Sequence, residues 1–156
     1  MKLNYFVIPF ATVITATIGS FLTSGGMVWY QMILTPTWTP SGMAIGIVWT
    51  VLFALATLSA LIVWNHEDHH AKERRWGIGG LFIANAVLNV LWSLAFFTLH
   101  LLGAATLEAG LLGVSVLLLA IVIWPHSRFA SVLLWPYLVW VCFATTLTGI
   151  IWRMNV

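Results

Sequence analysis

The sequence predicts an all-α protein, a bundle of five transmembrane helices, and three observations predict it. Of 156 residues, 62% are hydrophobic and only 6% charged, which leaves too little polar side chain to clothe a water-soluble surface. A hydrocarbon core about 30 Å thick requires about 20 apolar residues in helical form. Five such stretches occur, at approximately 3–23, 42–64, 78–99, 102–124 and 129–152, and among their connections only NHEDHHAKERRW (65–76) is strongly polar. Residues 1–156 are therefore read as one integral, multi-pass membrane domain.

The first span follows Lys2 and lacks an A-x-A-like cleavage site, so it is read as a retained helix and not a signal peptide. Next comes MVWYQMILTPTWTPSGM (27–43), a connection with two tryptophans, a tyrosine and two prolines. Pro36 and Pro40 forbid a continuous helix and extend the residues before them. The segment is expected to fold across the bundle mouth as a lid carrying Trp29, Tyr30 and Trp38. GIGG at 77–80 opens the third span; it lacks the strand and acidic residue of a dinucleotide fingerprint and reads as close helix packing. Short links after spans three and four make the last three helices antiparallel to their sequence neighbours. Five spans put the termini on opposite faces, with Lys2, Lys72, Arg74, Arg75 and Arg128 on the amino-terminal face and only Arg153 on the other. In an inner or plasma membrane, this bias predicts a cytoplasmic N-terminus and an outward-facing lid.

Several functions are disfavoured. The single cysteine, Cys142, cannot form an intramolecular disulfide, and no paired Cys/His set suits structural zinc. His66, His69 and His70, with Glu67 and Asp68 between them, have spacings compatible with a metal site but read as a solvated, charge-mixed loop, so no metal is assigned. Six Lys and Arg in all, three of them in one loop, make no nucleic-acid footprint. With no Ser/His/Asp set and no acid pair, hydrolytic and hydride chemistry is not expected.

The tryptophans and the intramembrane polar residues point to a pocket. Trp64, Trp76, Trp124, Trp135 and Trp152 fall near span ends, where indoles sit at headgroup level. Trp49 and Trp92, in contrast, lie about 10 Å, and Trp140 about 18 Å, below the outward face at ~1.5 Å rise per residue. Asn85 and Asn89, four apart, share one helix face next to Trp92, and Glu108 lies about 9 Å deep. Facing lipid these groups would be costly, so they are expected to face the bundle interior. Singly, each asparagine reads better as interhelical glue; together, beneath an aromatic lid, they suit a flat, largely apolar ligand. Gly80 and Ala84, four apart on the third helix, predict a homodimer through that helix. Membrane lipid is the remaining expected partner.

WYQMILTPTWTP (29–40), IVWTVLF (47–53), NAVLNVLWS (85–93) and WPYLVWVCFATTL (135–147) resemble the tryptophan-rich sensory protein and translocator protein family (TspO/MBR, peripheral-type benzodiazepine receptors). The resemblance covers essentially the whole chain. It implies a five-helix bundle, often dimeric, that binds protoporphyrin IX and haem for signalling or transport, with porphyrin as ligand and no obligatory cofactor. It further implies that Trp29, Tyr30, Trp38, Trp49, Asn85, Asn89, Trp92, Glu108, Trp140 and Ala144 line or cover the pocket. Light- and oxygen-dependent porphyrin degradation, with Trp49 and Trp140 as catalytic groups, is the enzymatic alternative; sterol or lipid handling is a third. The sequence departs from the family pattern at Ser41, at Leu147-Thr148, and at Trp152-Arg153, where the sterol motif requires a tyrosine.

Overall fold

The structure, a computed structural model, describes residues 3–65 and 71–156, with 71–75 as backbone only. His66, His69 and His70, weighed above as a metal site, lie outside the described residues. Helix α1 runs Asn4–Tyr30, α2 Gly42–Asn65 and α3 Ala71–Ser93, continued by a π-turn over Leu94–Thr98. Helix α4 is Leu102–Ile123, the short α5 is Arg128–Val132 and α6 is Trp135–Met154. Taking α3 with its π-turn and α5 with α6, five helices among the described residues are long and apolar enough to cross a membrane. The fold is all-α and the protein is an integral, multi-pass membrane protein.

Two boundaries differ from expectation. Helix α1 does not stop near residue 23 but continues to Tyr30, and Gly26 serves packing and not termination. A Cβ on Gly26 would lie 2.2 Å from the carbonyl oxygen of Phe97, so only glycine lets α1 touch the π-turn backbone. Trp29 and Tyr30 therefore ride on the last turn of α1, and the connection shrinks to residues 31–41. The fifth span is also broken. Pro136 has no N–H with which to carry the helix through from α5, so the chain turns at Leu133 and Leu134 before α6 starts. Hydrogen bonds pin this elbow: Ser59 Oγ donates to the Ala130 carbonyl at 2.8 Å and Ser131 Oγ to the Ala120 carbonyl at 2.7 Å.

Helix α4 is the packing centre. Its buried residues Leu102, Ala105, Ala109, Leu112, Val116, Leu119 and Ile123 recur at three- and four-residue spacing, the stripe expected of a helix seated against others. Without a hydrophobic drive between helices in lipid, close approach has to supply the attraction. Small residues provide it: a Cβ on Gly113 would contact Val141, one on Gly149 would contact Thr106, both at 3.4 Å, and one on Gly103 would meet Trp152 at 3.0 Å. Gly113, four residues after the buried Ala109, thus packs inside the bundle against α6. Gly80 and Ala84 are both exposed on α3, and a Cβ on Gly80 would meet nothing within 4 Å. Of the three glycines in the GIGG run only Gly79 is packed, its added Cβ lying 3.1 Å from the Trp64 ring, while Ile78 is buried in the core.

Candidate functional site

One tyrosine joins the two asparagines. Tyr137, 1% exposed, donates its hydroxyl proton to Asn85 Oδ1 at 3.1 Å and accepts from Asn89 Nδ2. Asn85 Nδ2 donates to Ser115 Oγ at 2.7 Å, and Ser115 donates to the Leu112 carbonyl at 2.7 Å. The four-residue spacing of Asn85 and Asn89 aims both amides at α6, and the network ties α3 to α4 and α6. Tyr137 was not singled out in the sequence, although a tyrosine one turn before Trp140 in WPYLVW is an aromatic body whose polar tip needs a buried partner.

These bonds also calibrate depth. Asn85 and Ser115 are level because they touch, and α3 and α4 run in opposite directions. Trp92, seven residues after Asn85, and Glu108, seven before Ser115, therefore both lie about 10 Å towards the end of the bundle that carries the 31–41 loop. Trp140 is about 4.5 Å beyond Tyr137 in the same direction. At and somewhat short of this level four buried side-chain atoms have no hydrogen-bond partner: Nε1 of Trp92, Nε1 of Trp140 and both carboxyl oxygens of Glu108. Buried polar atoms are normally paired, since leaving one unsatisfied costs about 1–3 kcal/mol. Four such atoms occur within about two helical turns on the loop side of the Asn85–Tyr137 node.

Aromatic rings surround this level in two groups. On one side Trp92 stacks on Phe96 at 5.4 Å and meets Phe97 edge-on at 5.9 Å. Trp29 and Tyr30 reach the same pair, at 5.9 Å from Phe96 and 5.7 Å from Phe97 respectively. The π-turn makes this possible: its wider winding presents the adjacent Phe96 and Phe97 to the interior together, 2% and 9% exposed. Two residues beyond its end at Thr98 comes His100, whose φ of 57° is left-handed and whose ring stacks on Trp29 at 4.0 Å. On the other side Trp49 meets Tyr137 edge-on at 5.9 Å, and Phe143 links Trp140, at 5.1 Å, to Trp38, at 5.8 Å. Phe143 also packs against the cluster that contains Phe96 and Phe97. Ala144, on the same helix, is half-buried. Phe96, Phe97, His100 and Phe143 had no signal beyond being aromatic in an aromatic-rich chain.

The connecting loop is anchored as well as stiff. Asn155, just past α6, accepts from the Leu34 N–H and donates to the Leu34 carbonyl, both at 2.9 Å. Thr39 folds back on Pro36, donating from its N–H at 3.0 Å and its hydroxyl at 2.7 Å to one carbonyl. Ser41 occupies a departure from the family pattern and caps α2, its Oγ accepting from the Ala44 N–H at 3.2 Å. Trp38, expected as a cover, lies against Phe143 yet remains 49% exposed. A cavity of about 650 Å³ lies elsewhere, between α1, α2 and α3 towards the amino-terminal end, and of the expected site residues it touches Asn85 alone.

The model of the TspO/MBR family matches residues 6–153. The chain belongs to that family. It is 33% identical to the tryptophan-rich protein TspO of Bacillus cereus over 99% of both chains, and 42% identical to a Bacillus subtilis membrane protein, YtaB, over 81% of this chain and 80% of that one. Similarity reaches the human translocator protein, at 29% identity over 86% of this chain and 79% of the human one. In this TspO/MBR protein the Tyr137 node should carry stability. Tyr137→Phe removes the donor to Asn85 and the acceptor for Asn89 while keeping the ring, and is expected to cost about 1–3 kcal/mol. It should lower the thermal unfolding midpoint in detergent, whereas Thr15→Val, whose exposed hydroxyl bonds only the Ala11 carbonyl, should not. Equal midpoints for the two variants would remove the node from the account.

Proposed function

We propose that this protein binds a tetrapyrrole, protoporphyrin IX or haem, among the aromatic rings at the loop end of the bundle, to sense it or to carry it. The observation that supports this reading is the cluster of unpartnered polar atoms on Trp92, Trp140 and Glu108 within an otherwise aromatic and apolar surrounding. The complementary ligand is a flat apolar body that bears both hydrogen-bond acceptors and donors. Protoporphyrin has a large ring for stacking, propionate oxygens to accept from the two indole N–H groups, and pyrrole N–H groups that can donate to Glu108. Trp49, Phe143 and Trp38 would add stacking and area burial. Asn85 and Asn89, held by Tyr137, would form the floor and not the primary ligand contacts.

A second reading, oxidation of bound porphyrin by oxygen in light, is favoured by one contact: Trp49 lies edge-on to Tyr137 at 5.9 Å, a pair of side chains that can each lose an electron. One titration examines both readings. Protoporphyrin IX is expected to quench tryptophan fluorescence saturably, and Trp140→Ala to weaken binding by about 1–3 kcal/mol, as loss of a buried aromatic anchor does. Unchanged affinity in Trp140→Ala would sink the site. Loss of porphyrin absorbance in aerated light that is absent in the dark and abolished in Trp49→Phe and Trp140→Phe would favour the enzyme over the receptor.

We further propose that the protein forms a homodimer through α3, because Gly80 and Ala84 form a small-residue pair that faces outward and is not used inside the bundle. Gly80→Leu should halve the protein mass measured in detergent by light scattering. A monomeric wild type, or a variant of unchanged mass, would count against this interface.

A further inference from the structure

The cavity between α1, α2 and α3 is separate from the site just described and has a different chemistry. Towards the loop end α1 lies close to α3 and its π-turn: a Cβ on Gly19 would be 3.6 Å from Ser93 Oγ, and Gly26 touches Phe97. Towards the amino-terminal end the helices part, and small residues, Ala11, Ala56, Ala60, Gly79 and Ala86, leave a space of about 650 Å³. That is the size of a typical small-molecule site, roughly 300–1,000 Å³. Its rim is exposed on both sides, Leu3 at 76% and Val7 at 52% on α1, Trp76 at 64% and Ile83 at 67% on α3. The cavity therefore opens sideways, through a slit between two membrane-spanning helices.

The wall makes few demands for hydrogen bonds. Thr12 and Thr57 bond each other at 2.8 Å and also their own helix carbonyls, at 3.2 and 2.7 Å. Asn4 Nδ2 donates to Asn65 Oδ1 at 3.0 Å, and at the deep end Asn85 and Tyr137 are bonded to one another. Water entering this space would find few partners, and apolar cavities of this kind stay dry. An empty space of this size would forfeit the contacts of its whole lining, which protein interiors avoid. Hydrocarbon fills it without either cost. Depth fits too: from Trp76 at the rim to Asn85 is nine residues, about 13.5 Å, close to the ~15 Å of hydrocarbon in a single leaflet.

We propose that this cavity is a lipid site. One acyl chain of a phospholipid from the leaflet on the amino-terminal side enters between α1 and α3 and ends against Tyr137 and Asn85, while the headgroup stays at the level of Trp64 and Trp76, which meet edge-on at 5.4 Å. The proposal is independent of the tetrapyrrole reading. It also makes the Tyr137 node a shared wall, with the lipid chain on one side and the unpartnered indoles and carboxyl on the other.

The test uses the full chain in nanodiscs of phosphatidylcholine that carries a diazirine near the terminal methyl of one acyl chain. After irradiation and peptide mapping, adducts are expected on lining residues such as Ala60 and Ala86 in addition to outward residues such as Leu107 and Leu111. Ala60→Phe and Ala86→Phe should each reduce the lining adducts several-fold and leave those at Leu107 and Leu111 unchanged. Adducts confined to the outward faces of wild type would overturn the proposal, and this map decides even if a variant fails to fold. Lining adducts unchanged by both phenylalanines, displacement of the label by equimolar free palmitate, or crosslinks placing a side chain of a second copy inside the cavity at Ala60 or Ala86 would each overturn it as well.

Discussion

The hydroxyl of Tyr137 donates to Asn85 and accepts from Asn89, and this pair of hydrogen bonds sets the register of α6 against α3. In lipid the three groups have no water to turn to, so each is held by the others. Ser115 extends the node to α4, the helix with the most buried residues. With three helices held in register at one depth, everything one or two turns nearer the loop is positioned by helical rise alone. Trp92, Glu108 and Trp140 all fall on the loop side of the node, within about two helical turns of it.

A second constraint governs α1, which buries only Gly26. That residue lets α1 press on the carbonyl of Phe97, and the π-turn, by presenting Phe96 and Phe97 together, gives Trp29 and Tyr30 rings to pack on. Tight at this end and open at the other, α1 leaves the apolar space against α2 and α3. The same division separates two chemistries: unpartnered polar atoms among aromatic rings on the loop side of Tyr137, satisfied polar pairs among small apolar residues on the other.

The all-α class and the membrane spans were legible because length and apolarity report directly on hydrocarbon thickness. The pairing of Asn85 with Asn89 was legible because a four-residue spacing on a helix has one geometric meaning. Other features depend on contacts between residues distant in sequence. Gly25-Gly26 reads locally as a break, yet Phe97 turns Gly26 into a packing surface, so the lid is shorter than the local sequence implies and Trp29 and Tyr30 lie on α1. The π-turn, the left-handed His100 and the Asn155 anchor on Leu34 leave no periodic trace. Tyr137 carried the one missed signal: a tyrosine in a membrane helix must place its hydroxyl somewhere, and two asparagines with amides to satisfy lay on another span.

The account rests on the indole N–H groups of Trp92 and Trp140 being unpartnered in the free protein and turned towards the ligand. Selective ¹⁵N labelling of tryptophan would give ten indole resonances, assignable by single Trp→Phe variants. Addition of protoporphyrin IX should shift the Trp92 and Trp140 signals downfield as their N–H groups acquire acceptors, while Trp64, Trp76 and Trp124, near the far end, keep their positions. Saturable porphyrin binding that leaves the Trp92 and Trp140 resonances where they were would contradict it.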